Sequence, residues 1–383
     1  MDMAMAGEGP GDRSAVGVSA GLAAAAELTA IEAFSGAGGM SLGLLQAHIS
    51  VRHAFDLDTN AIATYRHNIG DHAAVADARS LRGSDLLRNA GLTEVDILSG
   101  GPPCQGFSKQ RRGAHLVADG RNDLVREYAR LVREVAPRAF LFENVLAFGQ
   151  KRGRELIDYV DDQLPDYRIY RFFTSALDFG LAQRRGRFLM IGVRKDVSAI
   201  VPLLQKSPNQ ATVRMAIGDL PPPPDDYSEH PDYPNHARSK VGALNEERFR
   251  HVPPGGGWFD IPPHLRLDCH SELAGAISGG WPDVYGRLEW TSQAGTITAG
   301  FDSFTRGRFG HPEQHRPITL REGARLQGFP DGFRFLGSRA QVRLQIGNAV
   351  PPPLARAAGE ALKRVLTGDG RVPQRALFPD EAR

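Results

Sequence analysis

The nonapeptide Gly-Gly-Pro-Pro-Cys-Gln-Gly-Phe-Ser, residues Gly100 to Ser108, follows the short apolar run Val-Asp-Ile-Leu, residues Val95 to Leu98. The run is typical of a buried strand. Because two prolines and three glycines can neither continue the strand nor begin a helix, the chain turns here and holds Cys104 at the strand's carboxyl end. In an open α/β sheet, ligands bind at this edge. The stretch therefore predicts an α/β fold with Cys104 at its ligand-binding edge.

Two roles are compatible with the position of Cys104 in the sequence. A lone cysteine is most often a small buried hydrophobic residue. Such a residue has no need of neighbouring glycines and prolines in a polar loop, whereas a nucleophile needs an exposed and well-positioned thiolate. The surroundings of Cys104 therefore favour a catalytic nucleophile.

The composition indicates a soluble globular enzyme. The 383 residues are 41% hydrophobic and 23% charged, which suits one large domain or two unequal ones. No apolar run approaches the roughly 20 residues of a membrane span. Residues 1–27 are rich in Ala and Gly and carry acids where a secretory signal is basic, so we expect a disordered tail and a cytoplasmic protein. The two cysteines, Cys104 and Cys269, form neither a disulfide framework nor a metal site.

The net charge of +2 does not by itself predict a nucleic-acid partner. Any DNA-binding surface must therefore be a local patch. Three basic clusters are candidates: Lys109, Arg111, Arg112 and Arg121; Lys151, Arg152 and Arg154; and Arg184, Arg185 and Arg187. Most basic clusters are solvated surface, but the first and third of these adjoin the predicted site.

The first third of the chain has the pattern of a nucleoside-binding sheet. A predicted strand, Leu28 to Phe34, runs through a Gly-rich loop into a predicted helix, Met40 to His48, and such a turn brings backbone close to a ligand. Asp56 ends the next apolar run, about 20 residues after Gly36, where an acid can accept hydrogen bonds from ribose hydroxyls. The pattern predicts a nucleoside cofactor without choosing between a nicotinamide and S-adenosylmethionine.

Two further aspartates follow predicted strands. Asp58 is placed to cap the next helix, Thr59 to Asn68. Asp77 could accept from an adenine amino group, or it could cap a helix before Leu81. The residues alone leave both roles of Asp77 open.

A second functional group is expected beside Cys104. The polar segment Lys109 to Asn122 has the character of a mobile lid, and Asp123 to Val135 has the spacing of an amphipathic helix. The apolar run Ala139 to Phe142 then predicts a buried strand that delivers Glu143 to the same edge. A carboxyl in that position either caps a helix or, in an apolar site, donates or shares a proton near neutrality.

The segment Gln183 to Arg187 lies between two predicted strands, Tyr167 to Thr174 and Phe188 to Val193. Its alternating arginines suit a phosphate or a base carbonyl. The alternative is a charged sheet edge that resists aggregation.

The composition changes near Lys195, and residues 207–281 are rich in Pro, Gly, His and Asp. We therefore expect a larger α/β domain from residues 28–195 and 339–367 and a smaller, loop-rich domain from residues 196–338. The last helix is predicted over Leu354 to Leu366. Residues 368–383 are predicted to be a flexible tail.

These features together resemble the DNA (cytosine-5)-methyltransferases of bacterial restriction-modification systems. The resemblance spans roughly Ile31 to Leu366, with the motifs in the family's order. The segments that carry it are Phe34 to Gly39, Gly100 to Ser108, Glu143 to Val145, Gln183 to Arg187, Tyr285 to Leu288, Thr296 to Thr298 and Gly347 to Pro352.

The resemblance implies a Rossmann-like sheet that binds S-adenosylmethionine without a metal, a small target-recognition domain, and double-stranded DNA between them. It also implies methyl transfer to C5 of a flipped-out cytosine within a short specific sequence, through a covalent bond between Cys104 and C6. Glu143 would hold N3 and the amino group, and Arg187 would contact O2. Arg185 would contact the neighbouring phosphate or the loop.

The resemblance also implies a set of cofactor-binding residues. Phe34, Ser35, Gly36 and Gly38 would line the methionine and ribose, Asp56 would take the ribose hydroxyls, Leu57 would pack on the adenine, Asp77 would take its amino group, and Leu124, Asn348, Ala349 and Val350 would complete the pocket. The chain departs from the family's usual residues at Glu32, Asp56 and Leu57 and at Ala78, after Asp77. We therefore expect a working pocket with altered cofactor affinity.

Three other functions are compatible with parts of the sequence. A tRNA cytosine methyltransferase uses similar motifs, although the separate Pro/Gly-rich region favours DNA. A catalytically silent DNA-binding protein would need no nucleophile, and a nicotinamide oxidoreductase would leave Cys104 and Glu143 without roles. For the favoured function we expect a monomer whose partners are DNA and a cognate restriction endonuclease.

Overall fold

The computed structural model describes residues 27–103, 123–268 and 283–380. Several predictions fall outside these ranges. They concern Cys104 and most of its loop, the first basic cluster, the predicted lid, Cys269 and nearly all of the N-terminal tail. Within the described ranges, no helix is long and apolar enough to cross a membrane.

The fold is built on a seven-stranded sheet whose strands all lie between Thr29 and Arg194. They are β1 (Thr29–Ala33), β2 (Ser50–Asp56), β3 (Ala73–Val75), β4 (Ile97–Gly100), β5 (Ala139–Val145), β6 (Tyr167–Ser175) and β7 (Gly186–Arg194). Their order across the sheet is β3-β2-β1-β4-β5-β7-β6. Strand β7 pairs antiparallel with both β5 and β6, so it alone runs against the other six.

The central strands are buried on both faces, which explains their continuous apolar sequences. In β5, Phe140 and Phe142 pack into one core cluster, whereas Ala139 and Leu141 pack into the cluster on the opposite face. Because side chains alternate along a strand, Glu143 lies on the same face as Leu141.

Helices cover both faces of the sheet. The helices in the first half of the chain are α1 (Gly39–Gln46), α2 (Thr59–Asn68), α3 (Gly83–Ala90), α4 (Asp123–Val135) and α5 (Arg154–Gln163). Apolar residues of α3, α4 and α5 join the core cluster of Phe140 and Phe142. The other face is covered by α1 and by the last helix, α10 (Pro352–Thr367).

Tyr128 of α4 ties one helix layer to the centre of the sheet. Its hydroxyl donates to the main-chain oxygens of Leu98 in β4 and Leu141 in β5, at 3.0 and 2.9 Å. The side chain is fully buried and also contacts the ring of Phe142. Helix α4 is thereby held directly beneath the strands that lead to Cys104 and Glu143.

The predicted elements agree closely with the structure where the local signal is strong. Helices α2 and α4 have the predicted bounds, and Asp58 caps α2 by accepting from the backbone N–H groups of Asn60 and Ala61. Helix α1 starts one residue earlier and ends two residues earlier than predicted, and β5 extends through Glu143 to Val145.

Beyond Arg194, the residues that the structure describes form only short elements before the last two helices. They are β8 (Leu204–Gln205), α6 (Val213–Ile217), α7 (Ala243–Arg250), β9 (Gly286–Arg287), β10 (Arg308–Gly310) and α8 (Leu320–Leu326), followed by α9 (Arg339–Asn348). A third core cluster contains Ile217, Ile297, Ala324 and, from α9, Ile346. Helix α9, which the predicted boundaries place in the larger domain, thus packs with the region 196–338.

The C-terminal segment differs from the predicted flexible tail. Strand β11 (Ala376–Leu377) pairs antiparallel with β8. The backbone N–H of Asp380 donates to the main-chain oxygen of Arg171 in β6, at 2.7 Å. Because β6 is an edge strand of the large sheet, this segment protects part of an otherwise open edge.

Candidate active site

The ends of several strands meet at one edge of the sheet and bring the candidate residues together. Gly100, the last residue of β4, pairs with Phe142 of β5, so the segment leading to Cys104 and the residue Glu143 leave the sheet side by side. Strand β7 is antiparallel, so its first residues lie at the same edge, and Arg187 pairs with Val145.

Glu143 and Arg187 form a buried ion pair at this edge. Glu143 Oε1 lies 2.6 Å from Arg187 Nε, and each residue is 8% exposed. The carboxylate therefore lies in a buried site in which a guanidinium contacts it. A Cβ built on Gly101 would lie 3.3 Å from Glu143 Oε2, so this second oxygen faces the segment that leads to Cys104.

Asn144 also holds the segment that leads to Cys104, from the other side of β5. Its Nδ2 donates to the main-chain oxygen of Pro102 at 3.0 Å, and its Oδ1 accepts from the backbone N–H of Val145 at 2.9 Å. Asn144 lies within one of the motifs, but its sequence position predicted no role for it. Its place next to Glu143 was the only available signal, because the partner lies 42 residues away.

For Arg185, the predicted alternatives were a contact with the neighbouring phosphate and a contact with the loop, and the structure places this side chain inside the protein. Its guanidinium donates to the main-chain oxygens of Ile297, Gly347 and Ala349, at 2.8, 2.9 and 3.1 Å, and the residue is 2% exposed. Because its Nη atoms are bound to carbonyls inside the protein, Arg185 supports the site instead of contacting a phosphate. It holds the turn that carries Asn348 to Val350.

Gln183 also connects the end of the large sheet with the region 196–338. Its amide donates to the main-chain oxygen of Leu326 and to Gln327 Oε1, and its oxygen accepts from the backbone N–H of Ile297. All these groups are buried. The arginine-containing segment therefore joins the large sheet to the region 196–338, with only Arg187 turned toward Glu143.

The Gly-rich loop after β1 meets Asp56 at the end of β2. Asp56 Oδ2 accepts from the backbone N–H of Gly36 and Oδ1 from that of Asp58, both at 2.9 Å. Burial raises the pKa of Asp56, although these two hydrogen bonds act in the opposite direction. Gly36 has a φ of 52°, a left-handed conformation that glycine adopts readily.

The residues around this loop fit a bound nucleoside cofactor. Ser35 Oγ is buried and has no hydrogen-bond partner among the described residues, so a donor or acceptor group is available there. A Cβ built on Gly36 would meet nothing within 4 Å, which leaves space in front of the loop. Leu57 is 65% exposed and offers an apolar surface of the kind that an adenine ring covers.

Six other residues were predicted to bind the cofactor, and their binding role remains a prediction. The residues concerned are Phe34, Gly38, Leu124, Asn348, Ala349 and Val350. Phe34 has a positive φ of 57° and its ring lies 6.0 Å from that of Phe55. The backbone of Val350 packs so closely on Gly39 that no larger residue fits there. Asn348 is exposed at the C-terminal end of α9, and Leu124 is partly buried against the core.

Asp77 fulfils the capping role that the sequence left open. Its Oδ1 accepts from the backbone N–H of Arg79 at 3.0 Å, at the start of a short 3₁₀ turn. The contact with an adenine amino group remains a prediction.

Glu32 lies at the end of a buried chain of polar side chains behind the loop. Its carboxyl contacts Ser41 Oγ, which lies 2.8 Å from the Tyr65 hydroxyl, and that hydroxyl lies 3.0 Å from His72 Nε2. Burial raises the pKa of Glu32 to about 8. The tyrosine ring packs against Gly38, so the chain of side chains supports the cofactor loop from behind.

The raised pKa predicts a pH-dependent stability that Glu32→Gln removes. Between the ordinary value of 4.5 and about 8, the folded protein keeps a proton that the unfolded chain releases. The contribution of Glu32 to the free energy of unfolding therefore falls as the pH rises through this window. Thermal unfolding from about pH 5 to about pH 9 should show the wild-type Tm falling relative to that of Glu32→Gln. The exposed Glu94→Gln serves as control, and parallel wild-type and Glu32→Gln curves would contradict the assignment.

A family model of C-5 cytosine-specific DNA methylases matches residues 28–364 of the chain. The chain belongs to this family. The methylase is 33% identical to the Type II methylase M.HgiDII of Herpetosiphon aurantiacus over 348 residues, which cover 88% of the chain and 96% of that protein. It is 35% identical to the Type II methyltransferase M1.HphI of Haemophilus parahaemolyticus over 346 residues, with 89% and 88% covered.

A solved structure supports the same assignment. A prophage-encoded Escherichia coli protein, described as a DNA modification methyltransferase, matches the methylase with a TM-score of 0.67 and 28% identity. The match covers 89% of the methylase and 99% of that chain. The predicted enzyme class, DNA (cytosine-5)-methyltransferase of the restriction-modification type, is confirmed, as is the mixed α/β fold of an S-adenosylmethionine-dependent methyltransferase.

Proposed function

We propose that the methylase transfers a methyl group to C5 of a flipped-out cytosine within a short specific DNA sequence, through a covalent bond between Cys104 and C6. The observation that carries this proposal is the position of Glu143. Its carboxylate is oriented by Arg187 and turns its second oxygen toward the segment that leads to Cys104. A nucleophile and a proton-transferring carboxyl on adjacent strand ends are what addition to the cytosine ring requires.

The proposed reaction begins with the Cys104 thiolate. The sulfur forms a bond to C6, and the electron pair of the C5–C6 double bond moves into the ring as Glu143 gives a proton to N3. C5 becomes enamine-like and nucleophilic only after this addition. Once C5 carries the methyl group, its proton leaves to a base, the N3 proton returns to Glu143, the C5–C6 double bond forms again and the C6–sulfur bond breaks, which releases the Cys104 thiolate.

Arg187 has two parts in this proposal. Its Nε holds Glu143 Oε1, and Arg187 Nη1 donates to the main-chain oxygen of Gly186, so the guanidinium is fixed in orientation. Contact between this guanidinium and O2 of the cytosine would place N3 next to Glu143. A base inside a duplex cannot present its ring face to Cys104 and its N3 edge to Glu143 at once, so the base must leave the stack.

S-adenosylmethionine, when bound, supplies the methyl group. We infer that Ser35 Oγ and the backbone of the Gly-rich loop hold its methionine and ribose. Asp56 has lone pairs beyond those used by Gly36 and Asp58, and these would accept from the ribose hydroxyls. Leu57 would pack on the adenine, and Asp77 would accept from its amino group through the oxygen not used in capping.

The proposal includes the partners of the enzyme. Residues 196–338 would read base edges of a short sequence, and Type II relatives point to a cognate restriction endonuclease at the same site. One flipped base needs one active site, so we propose a monomer.

Sequencing of methylated cytosines in plasmid DNA tests this function. We expect cells that express the methylase to carry 5-methylcytosine in one short sequence, and cells with an empty plasmid to lack it. The total RNA of the same cells is digested and its 5-methylcytidine is measured in parallel. Methylation confined to RNA would replace the DNA proposal, and methylation of neither would contradict the proposed activity.

A further inference from the structure

We propose that a second, basic pocket between the region 196–338 and α9 binds a backbone phosphate of the substrate DNA. The pocket has a volume of about 560 Å³. Its charged lining residues are Arg238, Lys240, Asp302, Arg339 and Arg343, and Tyr227 and Phe304 are its aromatic ones. The inference rests on the proposed function, because it takes DNA as the substrate.

The charge of the lining favours a polyanion. Among the described residues, four cationic side chains line the pocket and Asp302 is the only carboxylate in its lining. Asp302 holds Arg339 and Arg343, at 2.8 and 3.1 Å, and Arg238 pairs with the exposed Asp225. Lys240 is exposed and forms no ion pair with the residues that the structure describes. Lys240 is therefore available to a phosphate, beside three arginines that carboxylates hold in place.

Arg339 and Arg343 are preorganised for this role. They lie four residues apart on α9, and the buried Asp302 fixes both guanidinium groups. Arg343 Nε is buried and has no hydrogen-bond partner within the described ranges. Guanidinium groups held in place lose little conformational freedom on binding an anion.

Tyr227 stands at the rim of the pocket in a strained conformation. Its φ is 66°, a left-handed value that a residue with a bulky side chain rarely adopts, and it is 45% exposed. Asp226 fixes the turn by accepting from the backbone N–H and hydroxyl of Ser228, at 2.9 and 2.6 Å. Lys240 Nζ lies 5.6 Å from the centre of the tyrosine ring. Packing does not require an exposed ring in this conformation, so the strain points to a binding role.

The pocket is connected to the active-site edge through α9. The C-terminal end of this helix reaches Gly347, which packs on the backbone of Thr298 and Ala299 and is held by Arg185. A ten-residue helix is about 15 Å long. This length is less than one turn of duplex, about 34 Å, so one DNA molecule can reach both places.

Two substitutions and a control test the proposal. Lys240→Ala should remove one phosphate contact, which lowers the slope of log K against log salt by about 0.9 and weakens binding about eightfold at about 0.1 M salt. The loss should be similar for specific and non-specific duplexes. Lys363→Ala, a lysine on α10 outside the pocket, should leave both quantities unchanged. Duplex affinity is measured by fluorescence anisotropy from about 0.05 to about 0.2 M salt.

Tyr227→Gly separates a binding role from a structural one. Glycine adopts a φ of 66° without strain, so the Tm of this variant should equal or exceed that of the wild type. Its DNA affinity should nevertheless fall. A lower Tm with unchanged affinity would make Tyr227 a structural residue and overturn its part in the pocket.

The outcomes distinguish this inference from the proposed function. Wild-type protein that binds and methylates DNA, with the same affinity and salt slope in Lys240→Ala, would refute the pocket alone. Wild-type protein that neither binds nor methylates a duplex would refute the function on which the pocket rests. Salt-dependent binding restricted to RNA would refute both.

Discussion

Replacing Cys104 by serine is expected to abolish methyl transfer to DNA while leaving cofactor binding close to that of the wild type. A thiol near neutrality supplies thiolate, whereas a serine hydroxyl stays protonated and needs a strong base beside it. Loss of a nucleophile lowers turnover by about 10⁴-fold or more. Methyl incorporation into duplex DNA, under single-turnover conditions with purified protein, measures the effect. Calorimetric titration with S-adenosylmethionine checks the cofactor site.

The matched control is Cys269→Ser, because Cys269 is the other cysteine of the chain and has no assigned role. Its activity should equal that of the wild type. A duplex with 5-fluorocytosine at the target has no C5 proton to lose after methyl transfer, so with S-adenosylmethionine present the wild type should stay covalently attached to it under denaturing conditions. Substantial methylation by Cys104→Ser, or attachment that survives this substitution, would exclude Cys104 as the nucleophile.

Replacing Glu143 by glutamine should slow methyl transfer by about 10²- to 10⁴-fold. An amide N–H can donate a hydrogen bond to N3 but is far too weak an acid to transfer its proton, so addition at C6 leaves negative charge on the ring. The side chain keeps its shape, and its Oε1 can still accept from Arg187 Nε, which lies 2.6 Å away in the wild type. We therefore expect the loss in the rate constant for methyl transfer rather than in folding or DNA affinity.

Single-turnover rates and thermal unfolding of Glu143→Gln test this expectation together. Glu155→Gln is the control, because Glu155 has an exposed side chain and lies in α5, away from the sheet edge. It should match the wild type in both measurements. A rate within about threefold of the wild type for Glu143→Gln would remove proton transfer by this residue from the mechanism.

Asn144 and Arg185 are expected to support the active site without taking part in the reaction. Asn144 holds Pro102, and Arg185 holds Gly347, but neither side chain is proposed to touch the base. Substitutions at these positions should act through the position of the cysteine loop or of the turn after α9. We therefore expect these substitutions to act by altering the packing of the site, and not by removing a group that reacts.

The sequence by itself determined the elements with strong local signals. Helices α2 and α4 have their predicted bounds because amphipathic spacing and the Asp58 cap act within a few residues. The same holds for Glu143 and Asp56, which the ends of β5 and β2 place at one edge of the sheet. The order of the motifs was enough for the family and hence for the enzyme class.

Only the tertiary structure decided which side chains meet. Glu143 and Arg187 become partners through the antiparallel register of β5 and β7, and Arg185 is buried by chain more than 100 residues away. The pairing of β11 with β8 and the basic pocket around Lys240 have the same origin. Periodicity reports which face of an element is apolar, but strand register and burial depend on packing between distant segments. No local pattern contains that information.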